Sequence, residues 1–315
     1  MKLPNYEDIV EASKRIKPFI NRTPVISSPV INRMFNAEIF FKCENLQKVK
    51  AFKFRGATNA VLNLSDKEAI NGVATHSSGN HAAALALAAK TRNIPAYLVM
   101  PSNSPQIKIK NVESFGGIIT FCEPTLQARE DGLRNVVEKT GATFIHPYNN
   151  FNVICGQGTA CLELLEDTGN VDIVMAPIGG GGLMSGTSIV AKHLFPDIKV
   201  IGAEPEKAAD ARESLKTGKI IPSENPDTIA DGLKTSLGTL TFPIIYKNVD
   251  DIFTASEENI ITAMKIITLY TGILAEPSSA VPLATIIENM SFFMSKRIGI
   301  IVSGGNTEMF NPYSF

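Results

Sequence analysis

Short apolar runs alternate with longer stretches of helical spacing along this chain. The runs "AEIFFKCE" (37–44), "GVATHSS" (72–78), "AYLVMP" (96–101), "GIITFC" (117–122), "VDIVMAPI" (171–178), "KVIGAEP" (199–205) and "RIGIIVSGG" (297–305) read as buried strands. Between them, "HAAALALAAKTR" (81–92), "AREDGLRNVVEKTG" (128–141), "GTACLELLEDTG" (158–169), "LMSGTSIVAKHLF" (183–195) and "SEENIITAMKIITLYTG" (256–272) carry helical spacing, and several end at glycine. The first residues, "MKLPNYEDIVEASKRIKPF", read as an amphipathic helix. Charges interrupt its apolar positions, so it is not a signal peptide. Strand–helix alternation predicts an α/β fold with mostly parallel sheets and right-handed crossovers. No stretch reads as a flexible linker, so two domains would be interwoven.

Composition narrows the function classes. The 315 residues are 44% hydrophobic and 19% charged, with a formal net charge of −1. That balance gives no basic face for nucleic acid. No apolar run approaches the roughly 20 residues that span a membrane. Cys43, Cys122, Cys155 and Cys161 form no CxxC pair. Cys43 and Cys155 read as core thiols, and the chain as a cytoplasmic protein of a reducing compartment.

Sheets of this kind bind ligands beyond the carboxyl ends of their strands. Four strand-to-helix turns carry unusual residues. "PIGGGGLMSG" (177–186) places consecutive glycines before a helix, where backbone N–H groups can converge on a phosphate. It matches neither a dinucleotide nor a Walker fingerprint. "HSSGNHAAALA" (76–86) gathers Ser77, Ser78, Asn80 and His81 at a helix start, which suits a carboxylate; an elaborate cap is the plain alternative. "IVSGGNTE" (301–308) puts Ser303 at the end of the last strand. In "GAEPEKAAD" (202–210), Glu204 and Asp210 flank a loop whose carbonyls could join them around a hard cation, or are two solvated acids. Finally, "KVKAFKFRGATNA" (48–60) sets Lys53 between Phe52 and Phe54. A lysine in an apolar setting has a lowered pKa and becomes a nucleophile; three surface cations are the alternative. One ligand would connect a phosphate cradle, an amine and an aromatic face. Pyridoxal 5′-phosphate fits.

The motifs "RTPV" (22–25), "KCENLQ" (42–47), "FKFRGA" (52–57), "SSGNHA" (77–82), "GQGT" (156–159), "GGGGL" (179–183), "TIADGLK" (228–234), "EPSSA" (276–280) and "SGGN" (303–306) run nearly end to end. With them the chain resembles a fold-type II pyridoxal-phosphate enzyme of the serine/threonine dehydratase and serine racemase group. The resemblance implies a large cofactor-binding domain (1–71 plus 150–315) and a small mobile substrate domain (72–149). It implies Lys53 as the Schiff-base lysine and Cα base, with Phe52 on the pyridine ring and Asn80 on its 3-oxygen. Gly179, Gly180, Gly181 and Gly182 with the Leu183–Met184 turn would hold the phosphate, and Ser303 would meet the ring nitrogen. Ser77, Ser78, Asn80 and His81 would bind the substrate carboxylate, and Ser78 would act on the face opposite Lys53. Arg129 would approach the substrate side chain. Glu204, the Ala208 carbonyl and Asp210 would hold Mg²⁺ or Ca²⁺ (or Mn²⁺), and a homodimer is the expected assembly.

The implied activity is dehydration of L-serine- or L-threonine-type substrates to a 2-oxo acid and ammonia, with serine racemisation. A threo-3-hydroxyaspartate dehydratase or aspartate-type racemase is the alternative, with Arg129 gripping a second carboxylate. A non-catalytic binding protein and a nucleotide-dependent enzyme are further rivals. The chain departs from the family pattern in three places. Val49, Lys50 and Ala51 stand where Thr-Gly-Ser is common, Ala82 replaces a glycine, and Tyr148 replaces a frequent asparagine. The run past "SGGN" is too short for the C-terminal regulatory domain of biosynthetic threonine dehydratases, so isoleucine feedback is not expected.

Overall fold

A computed structural model describes residues 2–77 and 79–307. Its strands are β1 (Val25–Ser27), β2 (Glu38–Cys43), β3 (Val73–His76), β4 (Ala96–Pro101), β5 (Ile118–Cys122), β6 (Thr143–Phe144), β7 (Ile173–Pro177), β8 (Lys199–Pro205), β9 (Asp251–Ala255) and β10 (Arg297–Val302). They form a six-stranded sheet ordered β1-β2-β10-β7-β8-β9 and a four-stranded sheet ordered β5-β4-β3-β6. Every pairing is parallel except β1 with β2. The larger sheet is covered on both faces, which explains its apolar strands. Along β7, Ile173 and Met175 enter one core, and Val174 and Ala176 enter the other.

The smaller sheet has its own core, where Val73, Leu98 and Met100 meet the helix Asn80–Thr91. Val49, Ala51, Phe54, Ala57, Ala60 and Val61 join that core, although the boundary at residue 72 set them with the larger domain. They come from the helix Lys53–Leu62 and the turn before it. This helix is buried from Phe54 through Val61, so it shows no amphipathic stripe. It packs both on Asn80–Thr91 and on the helix Phe151–Thr168, and so bridges the two sheets. Among the described residues, no helix is long and apolar enough to cross a membrane. All four cysteines are free, and Cys43, Cys155 and Cys161 are buried.

A buried charge network fixes the bridging helix. Arg55 is fully buried and donates to Glu44 Oε2 (2.7 Å) and Oε1 (2.8 Å). It also donates to Glu163 Oε1 (2.8 Å) and Oε2 (2.7 Å), and to Thr159 Oγ1 (3.1 Å). These bonds use all five N–H groups of the guanidinium. Lys42, also buried, donates to Glu163 Oε2 (2.7 Å) and to the Thr23 carbonyl (2.6 Å). Two cations thus face two carboxylates. Burial works to raise the Glu163 pKa, but Arg55 and Lys42 outweigh it and hold the carboxyl below its usual value. Removing one partner of such a network strands buried charge at a cost of about 3–5 kcal/mol. Arg55→Ala should therefore lower unfolding stability by about that amount in urea titration; a loss below about 1 kcal/mol, the range of exposed pairs, would mean the network is weakly coupled to folding.

Candidate active site

Three of the four turns singled out in the sequence, those after β3, β7 and β10, line one cavity between the two sheets, and Lys53 joins them. Phe52, Lys53, Ser77, Asn80, His81, Arg129, Gly179, Gly180, Gly181, Gly182 and Ser303 all line it. Met184 does not. Its side chain is buried in the core, and the cavity wall ends at Leu183. Ser78 lies outside the described residues. Glu204, Ala208 and Asp210 sit away from the cavity, where β8 ends.

Lys53 opens the bridging helix, and Phe52 precedes it in helical conformation. The amine donates to the Pro147 carbonyl (2.9 Å) and lies 5.1 Å from the centroid of the Phe52 ring. Burial lowers its pKa to about 8, against a weaker raising pull from Glu276. A neutral amine is therefore accessible near physiological pH.

The glycine run joins β7 to the helix Gly182–Leu194. Gly181 has φ +85°, in the left-handed region that favours glycine. A Cβ on Gly180 would strike the ring of Tyr148. The loop thus presents bare backbone to the cavity at a helix N-terminus, the ordinary setting for a phosphate. Opposite, Ser303 Oγ lies 3.0 Å from Ser279 Oγ, which also accepts from the Gly304 amide (2.6 Å). That wall offers hydroxyls, so a ring nitrogen placed there would meet a neutral partner.

Asn80 is the first residue of its helix. Its Nδ2 donates to Glu276 Oε1 (2.8 Å), and its Oδ1 accepts from Asn306 Nδ2 (3.0 Å). Both bonds fix which way the amide faces and leave one N–H free. Glu276 is buried, and burial raises its carboxyl to about 7, with Lys108 pulling it down and Asp231 pushing it up. Ser77 Oγ accepts from the Gly79 amide (3.3 Å). His81 is buried with Nδ1 unpartnered and Nε2 3.4 Å from the Ile145 carbonyl. Burial drives its pKa well below the usual value, so it is a neutral imidazole and cannot serve as a cation for a carboxylate. His76 and His146 are likewise lowered to about 4 by burial. Arg129 borders the cavity from the helix Leu126–Thr140 and donates to the Thr125 carbonyl (3.4 Å).

The sequence reading gave no role to Glu276, Asn306, Ser279, Lys108 or Asp231. Glu276 and Ser279 belong to "EPSSA", Asn306 to "SGGN" and Asp231 to "TIADGLK", so the motifs held the signal without the function. Lys108, in "QIKIKNVES", resembles any surface lysine.

The pattern that describes the pyridoxal-phosphate dependent enzymes matches residues 16–304. This chain belongs to that family. It is 50% identical over 309 residues to a beta-hydroxyaspartate dehydratase of Paracoccus denitrificans (strain Pd 1222), covering 98% of each chain. It is 49% identical to a serine racemase of Arabidopsis thaliana, covering 96% of this chain and 92% of that one. The solved structure of maize serine racemase superposes with a TM-score of 0.95 at 45% identity, covering 98% of this chain and 95% of that one. The fold is accordingly that of the fold-type II pyridoxal-phosphate enzymes, and the family's cofactor is pyridoxal phosphate.

The lowered lysine pKa has a measurable consequence. Only the neutral amine attacks an aldehyde. The rate at which cofactor-free protein regains its visible band on mixing with pyridoxal phosphate should climb with pH and level off above about 8. A rate still climbing toward pH 10, the range of an ordinary lysine, would contradict a buried Lys53 amine.

Proposed function

We propose that this protein dehydrates L-serine- and L-threonine-type hydroxy amino acids to a 2-oxo acid and ammonia, and that the same site racemises serine. The observation that carries this reading is the Lys53 amine, lowered toward neutrality and set in a cavity that faces bare glycine backbone on one side and uncharged donors on the other. In the proposal, the Gly179–Gly182 backbone holds the cofactor phosphate, Lys53 holds its aldehyde carbon, Phe52 covers its ring and Ser303 meets the ring nitrogen. The free N–H of Asn80 meets the ring's 3-oxygen. When bound, pyridoxal phosphate draws electrons from the substrate Cα and makes its proton removable. Ser77 and Asn80, at the start of their helix, receive the substrate carboxylate, with His81 as a neutral neighbour. Lys53, freed when the substrate amine replaces it on the aldehyde carbon, takes the Cα proton. Loss of the β-hydroxyl with a proton, as water, leaves an enamine, and a water molecule then hydrolyses its imine tautomer to the 2-oxo acid and ammonia. Return of a proton from the other face, by Ser78, gives the opposite enantiomer.

A specific observation favours a second reading. Arg129 reaches the cavity wall, where a guanidinium could grip a distal carboxylate bidentately. With the beta-hydroxyaspartate dehydratase among its relatives, threo-3-hydroxyaspartate dehydration or aspartate-type racemisation is the alternative. A 2-oxo acid assay with L-serine, D-serine, L-threonine and threo-3-hydroxyaspartate separates the two. Turnover favouring serine or threonine supports the first reading, and turnover confined to hydroxyaspartate supports the second. Ser78→Ala should suppress D-serine use and racemisation more than L-serine elimination; equal loss of all three would remove its separate role.

We also infer a divalent cation, Mg²⁺ or Ca²⁺ (or Mn²⁺), at Glu204, Asp210 and the Ala208 carbonyl. The residues fit one. Glu204 is buried and accepts from the amides of Ala211 (3.0 Å) and Arg212 (2.8 Å). Burial first, and Asp210 second, raise its carboxyl to about 8. Burial also raises Asp210, to about 6, and neither of its oxygens makes a hydrogen bond of ordinary geometry. Two buried, mutually repelling acids have only the partial counter-charge of Arg212, and a hard oxygen-bound cation would supply the rest. Millimolar Mg²⁺ or Ca²⁺ should raise the Tm by several degrees, and Glu204→Gln should remove the increment. An increment that persists in Glu204→Gln would place the cation elsewhere. The reading is completed by a homodimer in a reducing, cytoplasmic setting, with which the four free cysteines accord.

A further inference from the structure

Lys108 stands out because the chemistry above gives it nothing to do. It lies on the helix Gln106–Ser114, which packs beside the smaller sheet, yet its side chain is only 7% exposed. A lysine this enclosed needs a reason. Its stem crosses the turn before the helix Asn80–Thr91. A Cβ on Gly79 would collide with Lys108 Cδ, so the bare glycine is what lets the stem pass. Its amine then pairs with Asp231 on the far side of the cavity.

Asp231 opens the turn Asp231–Leu233, which leans on the glycine loop. A Cβ on Gly179 would meet the Gly232 carbonyl at 2.8 Å and the Leu233 Cα at 3.1 Å. Lys108, Gly79, Asp231 and Gly232 all line the cavity. Among the described residues, this is the only ion pair between residues 72–149 and residues 150–307. One end of the Lys108 side chain therefore presses the start of the Asn80 helix, and the other end holds the turn that backs the glycine loop.

We infer that Lys108 is a positioning residue: through its stem on Gly79 and its charge on Asp231, it sets the Gly79–Asn80 corner at a fixed distance from the glycine-loop wall. The role rests on the proposed function, in which that corner receives the substrate carboxylate and that wall the cofactor phosphate. The ligand carries both groups on one rigid frame once joined, so the two receptors must hold their spacing. A pair that ties them together supplies that constraint. A plain counter-ion role would act differently. There, Lys108 would only cancel the negative charge of Asp231 near an anionic substrate, and the two residues would have opposite effects.

The test uses the holoenzyme and the variants Lys108→Met, Asp231→Asn and their combination. Lys108→Met keeps the stem over Gly79, and Asp231→Asn keeps the shape of the turn. The first measurement is steady-state kinetics on the best hydroxy amino-acid substrate. Each single variant should raise KM roughly tenfold with a smaller fall in kcat, and the double variant should be no worse than either. Asp231→Asn lowering KM while Lys108→Met raises it would overturn the inference in favour of charge cancellation. Additive losses in the double variant would overturn it too. The second measurement needs no turnover. Amide hydrogen exchange across Gln106–Ser114 should quicken severalfold in both single variants, while β10 stays unchanged. Unchanged exchange in that helix would overturn the inference. If the wild type turns over no hydroxy amino acid, the proposed function fails, and the exchange result still decides whether the pair ties the two sides.

Discussion

The pairing of Arg55 with Glu44 and Glu163 is the constraint on which the site depends. Arg55 lies two residues after Lys53 on the same helix, and its guanidinium is held in five directions. Glu44 follows β2 and Glu163 comes from the helix Phe151–Thr168, so the network ties two further elements to the start of the Lys53 helix. A helix docked on both sheets by apolar contacts alone could slide or rotate by fractions of an ångström. A fully used, buried fork cannot do so without leaving a charge unpaired. The reactive amine is therefore placed by electrostatics that lie outside the cavity. The same network accounts for three sequence motifs at once: Thr23 of "RTPV", Lys42 and Glu44 of "KCENLQ", and Arg55 of "FKFRGA".

Within the cavity a second principle operates. Its polar groups are mostly uncharged or pushed toward neutrality: burial lowers Lys53, His76 and His81 and raises Glu276. Such a site holds a ligand by directed donors and acceptors rather than by bulk charge. The exceptions are informative. Arg129 stands at the edge, where a substrate side chain would lie. Lys108 is matched by Asp231 across the gap. A hydroxyl at Ser303, backed by the buried Ser279, in place of a carboxylate would leave the ring nitrogen of a bound cofactor largely unprotonated.

Much of this was legible in the sequence, and the omissions have physical causes. Most strands of both sheets declared themselves by their apolar runs, but "GIITFC" reads as buried whereas β5 is an edge strand with Ile118 and Phe121 exposed. β1, β6 and β9 did not declare themselves, because the first two are too short to show a pattern and "DIFTA" follows directly on acidic residues. The Lys53 helix was missed because it is buried all round and so has no stripe. The helix Pro277–Glu288 was hidden by Pro282 in its middle. Residues announced by glycine or by clustered polar groups line the cavity. Glu276 was not so announced, because one glutamate before a proline reads as a helix cap, and Lys108 was not, because only its burial distinguishes it. Met184 reads with the glycine loop, and its side chain is buried in the core because the helix that begins at Gly182 already turns that face inward. Glu204 and Asp210 stood out by spacing, but their burial and mutual repulsion are visible only in three dimensions.

The central claim is that Lys53, and no other lysine, carries the cofactor. Two lysines line the cavity, so the claim can fail. The most direct measurement is borohydride reduction of the purified yellow protein followed by peptide mass spectrometry. The account predicts a pyridoxyl-phosphate adduct on Lys53 alone, within "AFKFR" (51–55). An adduct on Lys108, or none on any cavity lysine, would contradict it.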